Sequence, residues 1–232
     1  MDGWIEHLDE LRRRIIAVLA VFFVATITAF VFSSHIAAFL MAPLDAFQVK
    51  LYAFAPAEKF MAYVRLSAWT GAIFAVPFFC LQAGLFLWPA LRGNEYRYAA
   101  AVLFVVPVLF LLGAGLSYRF IAPIVFGFFL SFAAGDGIES LWNFKEYLAV
   151  LFNIMIAAGL LLQLPLALLV LIVTGIISAA QVAHYRRHII LLLFFVAALV
   201  TPPDVISQVM LAIPLYFLFE AALWLGRILR RE

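Results

Sequence analysis

The chemistry on offer in this sequence is carboxylate chemistry at the edge of an apolar medium. Glu6-His7-Leu8-Asp9-Glu10-Leu11-Arg12-Arg13-Arg14 gathers three acids and three arginines, and Ile15 to Phe32 follows without a charge. Another acid, Glu95, stands in the short stretch Arg92-Gly93-Asn94-Glu95-Tyr96-Arg97, between two further apolar runs. Carboxylates placed among arginines and beside lipid can receive a cationic ligand, and arginine best of all, because its planar fork meets both oxygens. A plainer account covers the same residues. Asp9 with Arg13 and Glu10 with Arg14 are i,i+4 pairs, each worth roughly 0.2–0.5 kcal/mol to a helix surface, and Glu95 is then an idle loop charge.

Other reactive groupings are missing. No P-loop, GxSxG, HExxH or Cys/His cluster occurs. His7, His35, His184 and His188 sit at loop or interface positions, and the single Cys80 lies inside an apolar run, so no internal disulfide forms. The chain is therefore expected to be no enzyme and to use no metal or cofactor, and nucleic acid is not an expected partner. Polar residues inside the apolar runs are few: Asn153, Gln163, Gln208 and Glu220, beside scattered Ser and Thr and Gln82, which reads as an interruption of the second run. A polar group within a membrane is a functional candidate by default. For Asn153 and Gln208 the ordinary role is a hydrogen bond between helices. Gln163, two residues before Pro165, either packs or hydrates a cavity. Glu220, two turns from Arg227, is expected to snorkel to the interface.

These residues must be positioned by helices that cross a membrane. The 232-residue chain is 68% hydrophobic and 12% charged, with a mean hydropathy of +1.13. That composition belongs to an all-α polytopic membrane protein rather than a soluble domain. The first apolar run exceeds a typical signal-peptide core and no clean cleavage site follows it, so no cleavable signal is expected. Six spans are predicted, at about 15–32, 66–91, 98–118, 148–175, 189–200 and 205–226. They form a single transmembrane domain over 1–232, with outer-side loops at 33–65 and 119–147 whose semi-apolar character suggests amphipathic capping helices.

Arginine and lysine set the orientation. With the N-terminus in the cytosol, the inner segments hold Arg12, Arg13, Arg14, Arg92, Arg97, Arg186, Arg187, Arg227, Arg230 and Arg231. The outer side has only Lys50, Lys59, Arg65, Arg119 and Lys145. Ten against five satisfies the positive-inside rule with both termini cytosolic. The last hairpin is unusual, since Ile189 to Thr201 rises only about 18 Å against a hydrocarbon core of about 30 Å. Pro202-Pro203 stops it and Asp204 is placed to cap the returning helix. The pair is either re-entrant or spans a locally thinned bilayer, and thinning is favoured because the arginines at its inner ends and the Pro-Pro-Asp turn at the other all need water.

In order and spacing, several motifs together resemble the TatC family, the receptor subunit of the twin-arginine protein translocase. They are His7-Leu8-Asp9-Glu10-Leu11-Arg12-Arg13-Arg14, Ala42-Pro43-Leu44, Pro56-Ala57-Glu58 and Phe86-Leu87-Trp88-Pro89-Ala90-Leu91 leading to Glu95. They continue through Leu164-Pro165, Thr201-Pro202-Pro203-Asp204-Val205-Ile206-Ser207-Gln208, Ala212-Ile213-Pro214 and Phe219-Glu220. The resemblance implies a concave, glove-like bundle in the inner membrane with its last two helices short. It implies a receptor for twin-arginine signal peptides on folded cargo, assembling with TatA- and TatB-type single-span partners and other copies of itself. Export would draw on the proton gradient.

By the same resemblance Glu10 and Glu95 match the acids that bind the signal arginines, and Arg12 and Phe86 match further recognition positions. Thr201 and Gln208 match the partner-docking region, and Pro43 and Asp204 match outer-side functional positions. Gln163 departs from the family's usual Glu on the concave face, which leaves an amide that attracts water but carries no charge. The loop before Glu95 lacks the usual basic residue, and Ala55 replaces a capping Ser or Thr. A small-solute or ion transporter is the competing expectation. It calls for a midplane site between paired repeats, and neither a repeat nor a midplane charge is present.

Overall fold

A computed structural model describes residues 2–45, 47, 49–87, 95–133, 141–200 and 205–230. Ten α-helices, one π-helical turn and two two-residue strands make up the described elements. They fall into two compact units. The first comprises 1–42, 51–111 and 143–148, and the second 43–50, 112–142 and 149–232.

In the first unit, α1 (Asp2–Val31) lies along α3 (Pro56–Leu87), with α2 (Ser33–Asp45) between them in sequence. Lipid supplies no hydrophobic drive for helices to associate, so close backbone approach through small residues takes its place. Gly71 provides it. A Cβ there would stand 2.2 Å from Thr26 Oγ1 and 3.1 Å from the Phe22 carbonyl oxygen. The expected loop over 33–65 is largely helical, as α2 and the first turns of α3. Pro56 enters at the first helical position and Glu58 sits in the first turn, both favourable to a helix start. Strand β1 (Leu51–Tyr52) precedes it and β2 (Trp142–Asn143) comes later in the chain. The buried Tyr147 hydroxyl donates to the Leu40 carbonyl, tying α2 to the start of α6 (Phe144–Leu161).

The third expected span begins as α4 (Glu95–Leu116) but does not end at Tyr118. It continues through a π-helical turn, Ser117–Ile121, into α5 (Ala122–Ala133). The cause is Pro123, which has no N–H for the carbonyl four residues back and would clash with it. A wider turn relieves the clash, and the Ala122 N–H reaches the Ser117 carbonyl five residues away. One charge, Arg119, is insufficient to stop the helix.

In the second unit α10 (Val205–Arg230) packs on α7 (Gln163–Val173) and α9 (Arg186–Val200). The fourth span is broken at Leu162 into α6 and α7, where Pro165 denies a hydrogen bond to the preceding turn. Gly175, at φ 84°, ends α7, and Ser178 opens the short α8 (Ala179–His184) with a reciprocal capping box to Gln181. Gly113 sits so close to α6 that a Cβ would be 2.8 Å from the Ala158 carbonyl oxygen.

Five helical stretches among the described residues are long and apolar enough to cross a membrane: His7–Val31, Pro56–Phe86, Leu103–Ser131, Phe144–Val173 and Leu211–Leu229. The fifth expected span, α9, has 15 residues and rises about 22 Å, short of the hydrocarbon core. Its partner is not short. α10 runs 26 residues and passes Gly226, whose missing Cβ serves packing against Ile172 rather than termination.

Candidate functional site

The acidic start of α1 and the far end of α3 meet because these two helices lie together within one unit. His7 stacks on Phe86 with ring centroids 4.3 Å apart and planes 20° from parallel. One turn further along α1, Glu10 receives Arg14. Its Oε1 accepts from Arg14 Nε at 3.0 Å and from Nη2 at 2.6 Å. Arg14 does not stop at its own helix. Nη1 donates to Gln82 Oε1 at 2.9 Å, and Nη2 reaches the Leu85 carbonyl at 3.3 Å. The second carboxylate oxygen of Glu10 lies 3.8 Å from His7 Nδ1.

The result is a guanidinium cradle built from two helices, with a carboxylate, an amide oxygen and a main-chain carbonyl as acceptors. Neither member of the ion pair is fully buried. The Arg14 side chain is 22% exposed and that of Glu10 37%. Water therefore reaches the site. Chemically the arrangement suits a planar, multiply donating cation.

Of the sequence-predicted residues, Glu10 and Phe86 are brought together and Arg12 is not, since it lies exposed on α1. Glu95 begins α4, and its side chain lies outside the described residues. Thr201 and Asp204 also lie outside them. Gln208 donates Nε2 to the Phe194 carbonyl at 2.7 Å, joining α10 to α9. Pro43 occupies the last turn of α2, half-buried beside the buried Leu44. Gln163 opens α7 at the break and donates Nε2 to the Gly159 carbonyl at 3.4 Å.

Two participants are missed by reasoning from sequence and a third is half seen. Gln82 reads only as an interruption of an apolar run and His7 as unremarkable, while Arg14 reads as the i,i+4 partner of Glu10, a pair the structure shows, without its reach to the second helix. The signal that could have found them is spacing: Gln82 and Phe86 are i,i+4 neighbours at the end of a span, so they share a face. Glu220 meets Arg186 rather than Arg227, with Nε 2.9 Å from Oε1 and Nη2 donating to Oε2 at 2.9 Å, because the hairpin brings the start of α9 alongside α10. One further expectation is corrected. Asn153 is exposed on α6 rather than turned to a neighbouring helix.

Known proteins are similar to this chain in sequence and in fold. Residues 6–214 match the family described as Sec-independent protein translocase protein (TatC). A TatC protein of Magnetococcus marinus is 38% identical over 231 residues, covering 98% of this chain and 85% of that protein. One from Rickettsia prowazekii is 33% identical, covering 94% and 90%. A crystal structure of the twin arginine translocase receptor TatC superposes with a TM-score of 0.76 at 31% identity, over 97% of this chain and 99% of that one.

Proposed function

Since the chain belongs to the TatC family and is a subunit of the twin-arginine translocase, we propose that its α1–α3 end is the receptor for twin-arginine signal peptides. The observation that carries this reading is the guanidinium already held by Glu10, Gln82 and Leu85. A site that satisfies one arginine fork has the acceptors and spacing for another. Glu95, at the start of the next helix, is the second carboxylate, and the two acids divide the paired arginines of the signal. Phe86 and the apolar faces beyond it meet the hydrophobic part of the peptide.

The receptor sits in the inner membrane with both termini in the cytosol, an orientation supported by the ten-to-five division of basic residues. It performs no catalysis. The α9–α10 hairpin docks TatA- and TatB-type single-span partners around Thr201 and Gln208. The shortness of α9 supports a role for membrane thinning during export. Pro43 and Asp204 act from the outer side, Gln163 draws water towards the helix break, and further copies of the chain complete the assembly. A transporter of small solutes is not favoured.

Site-specific crosslinking of an Arg-Arg signal peptide to the chain in membranes tests the proposal. Combining Glu10→Ala with Glu95→Ala is expected to abolish the crosslink. Undiminished crosslinking in that double variant would sink the receptor assignment.

A further inference from the structure

We infer that Arg14 is a resident competitor for the signal arginine, and that discrimination between arginine and lysine depends on it. The inference rests on the receptor reading above. An ordinary i,i+4 pair requires only Glu10. Here the guanidinium also takes Gln82 Oε1 and the Leu85 carbonyl from another helix, so all three of its nitrogens are engaged. Those acceptors are indifferent to which arginine supplies the donors.

An incoming guanidinium that enters the cradle exchanges like for like. Each N–H···O bond that Arg14 gives up is remade by the newcomer, and Arg14, already 22% exposed, swings into the aqueous boundary. The exchange is close to neutral for arginine. For lysine it is not. An ammonium group is compact and has no fork, so it cannot reach three acceptors set for Nε, Nη1 and Nη2. Lysine must then break hydrogen bonds that it does not replace. An unoccupied cradle would accept either cation on charge alone, so the occupant supplies the rejection of the wrong ligand. This also places the net affinity for a correct signal elsewhere, in the second arginine and the apolar segment.

The test uses the full chain in lipid nanodiscs and fluorescent signal peptides carrying Arg-Arg or Lys-Lys. Arg14→Met keeps an apolar stem and removes the fork, and Arg14→Lys keeps the charge. Arg14→Met is expected to tighten Lys-Lys binding by about tenfold, the equivalent of one charge-assisted hydrogen bond no longer forfeited. Arg-Arg binding should change less, so the ratio of the two affinities falls, with Arg14→Lys intermediate. A ratio unchanged in both variants, or equal weakening of both peptides, overturns the inference and leaves the receptor reading intact. A wild-type chain that binds neither peptide, or whose Arg-Arg binding is undiminished when Glu10→Ala is combined with Glu95→Ala, overturns the receptor reading and this inference with it.

Discussion

Asn143 joins two helix starts that lie 85 residues apart: its Nδ2 donates to Glu58 Oε1 at 2.6 Å, and its Oδ1 accepts from the Lys145 N–H at 2.8 Å. Glu58 in turn accepts from the Phe54 N–H at 2.6 Å through its other oxygen. One amide side chain thereby caps α6 and secures the first turn of α3 within the same unit. Replacing it by alanine removes the cap and is expected to lower stability in detergent by about 1 kcal/mol for that loss alone. Asn143→Asp is the sharper probe. It retains the cap but sets carboxylate against carboxylate, so its deficit should shrink as pH falls and one acid protonates. Thermal unfolding followed at several pH values checks both, and a deficit independent of pH would count against the pairing.

Glycine packing predicts a contrast within one helix. Gly113→Ala would place a methyl group 2.8 Å from both the Ala158 carbonyl oxygen and Gly159 Cα, atoms of a rigid backbone. Gly115, two residues on, has nothing within 4 Å of the corresponding position. The first substitution should cost about 1–3 kcal/mol by overpacking. The second should be neutral or slightly stabilising, because alanine is the better helix former. Unfolding midpoints of the two variants, measured side by side, give the answer.

Arg186 and Glu220 form a two-point ion pair that holds the start of α9 against α10. With the Arg186 side chain 42% exposed, solvent screens much of the attraction. A double-mutant cycle with Arg186→Gln and Glu220→Gln should return a coupling of about 1 kcal/mol or less, declining with added salt. Exchanging the two residues should recover most of it.

Gln208 carries two demands that one experiment separates. Gln208→Leu leaves the Phe194 carbonyl without its donor, at a cost of about 0.6 kcal/mol typical of hydrogen bonds between membrane helices. A partner-docking role adds a second effect, loss of crosslinking to a TatA- or TatB-type helix well beyond what so small a destabilisation explains. If the thermal shift appears while crosslinking stays at the wild-type level, Gln208 serves the hairpin alone.

Much of this protein is legible in its amino-acid order. Long apolar runs separated by charged turns announce a polytopic helical membrane protein, because hydropathy and helix length are local properties read against a bilayer of known thickness. The shortness of α9 and the helix start at Pro56 follow from the same local rules. Glu10 and Phe86 are recognisable from their motifs.

What each polar residue does with its neighbours is decided only by the tertiary structure. Glu10 has Arg14 one turn away in sequence, yet the partners that turn this pair into a cradle, Gln82 and the Leu85 carbonyl, come from a helix 68 and 71 residues further on. Glu220 pairs with Arg186 across a hairpin in preference to Arg227 on its own helix. Local periodicity assigns a side chain to a face of its helix, but the crossing of two helices decides which faces meet. In the α1–α3 pair that crossing is set where Gly71 admits the backbone of α1 at Phe22 and Thr26. No pattern along α1 alone contains that information.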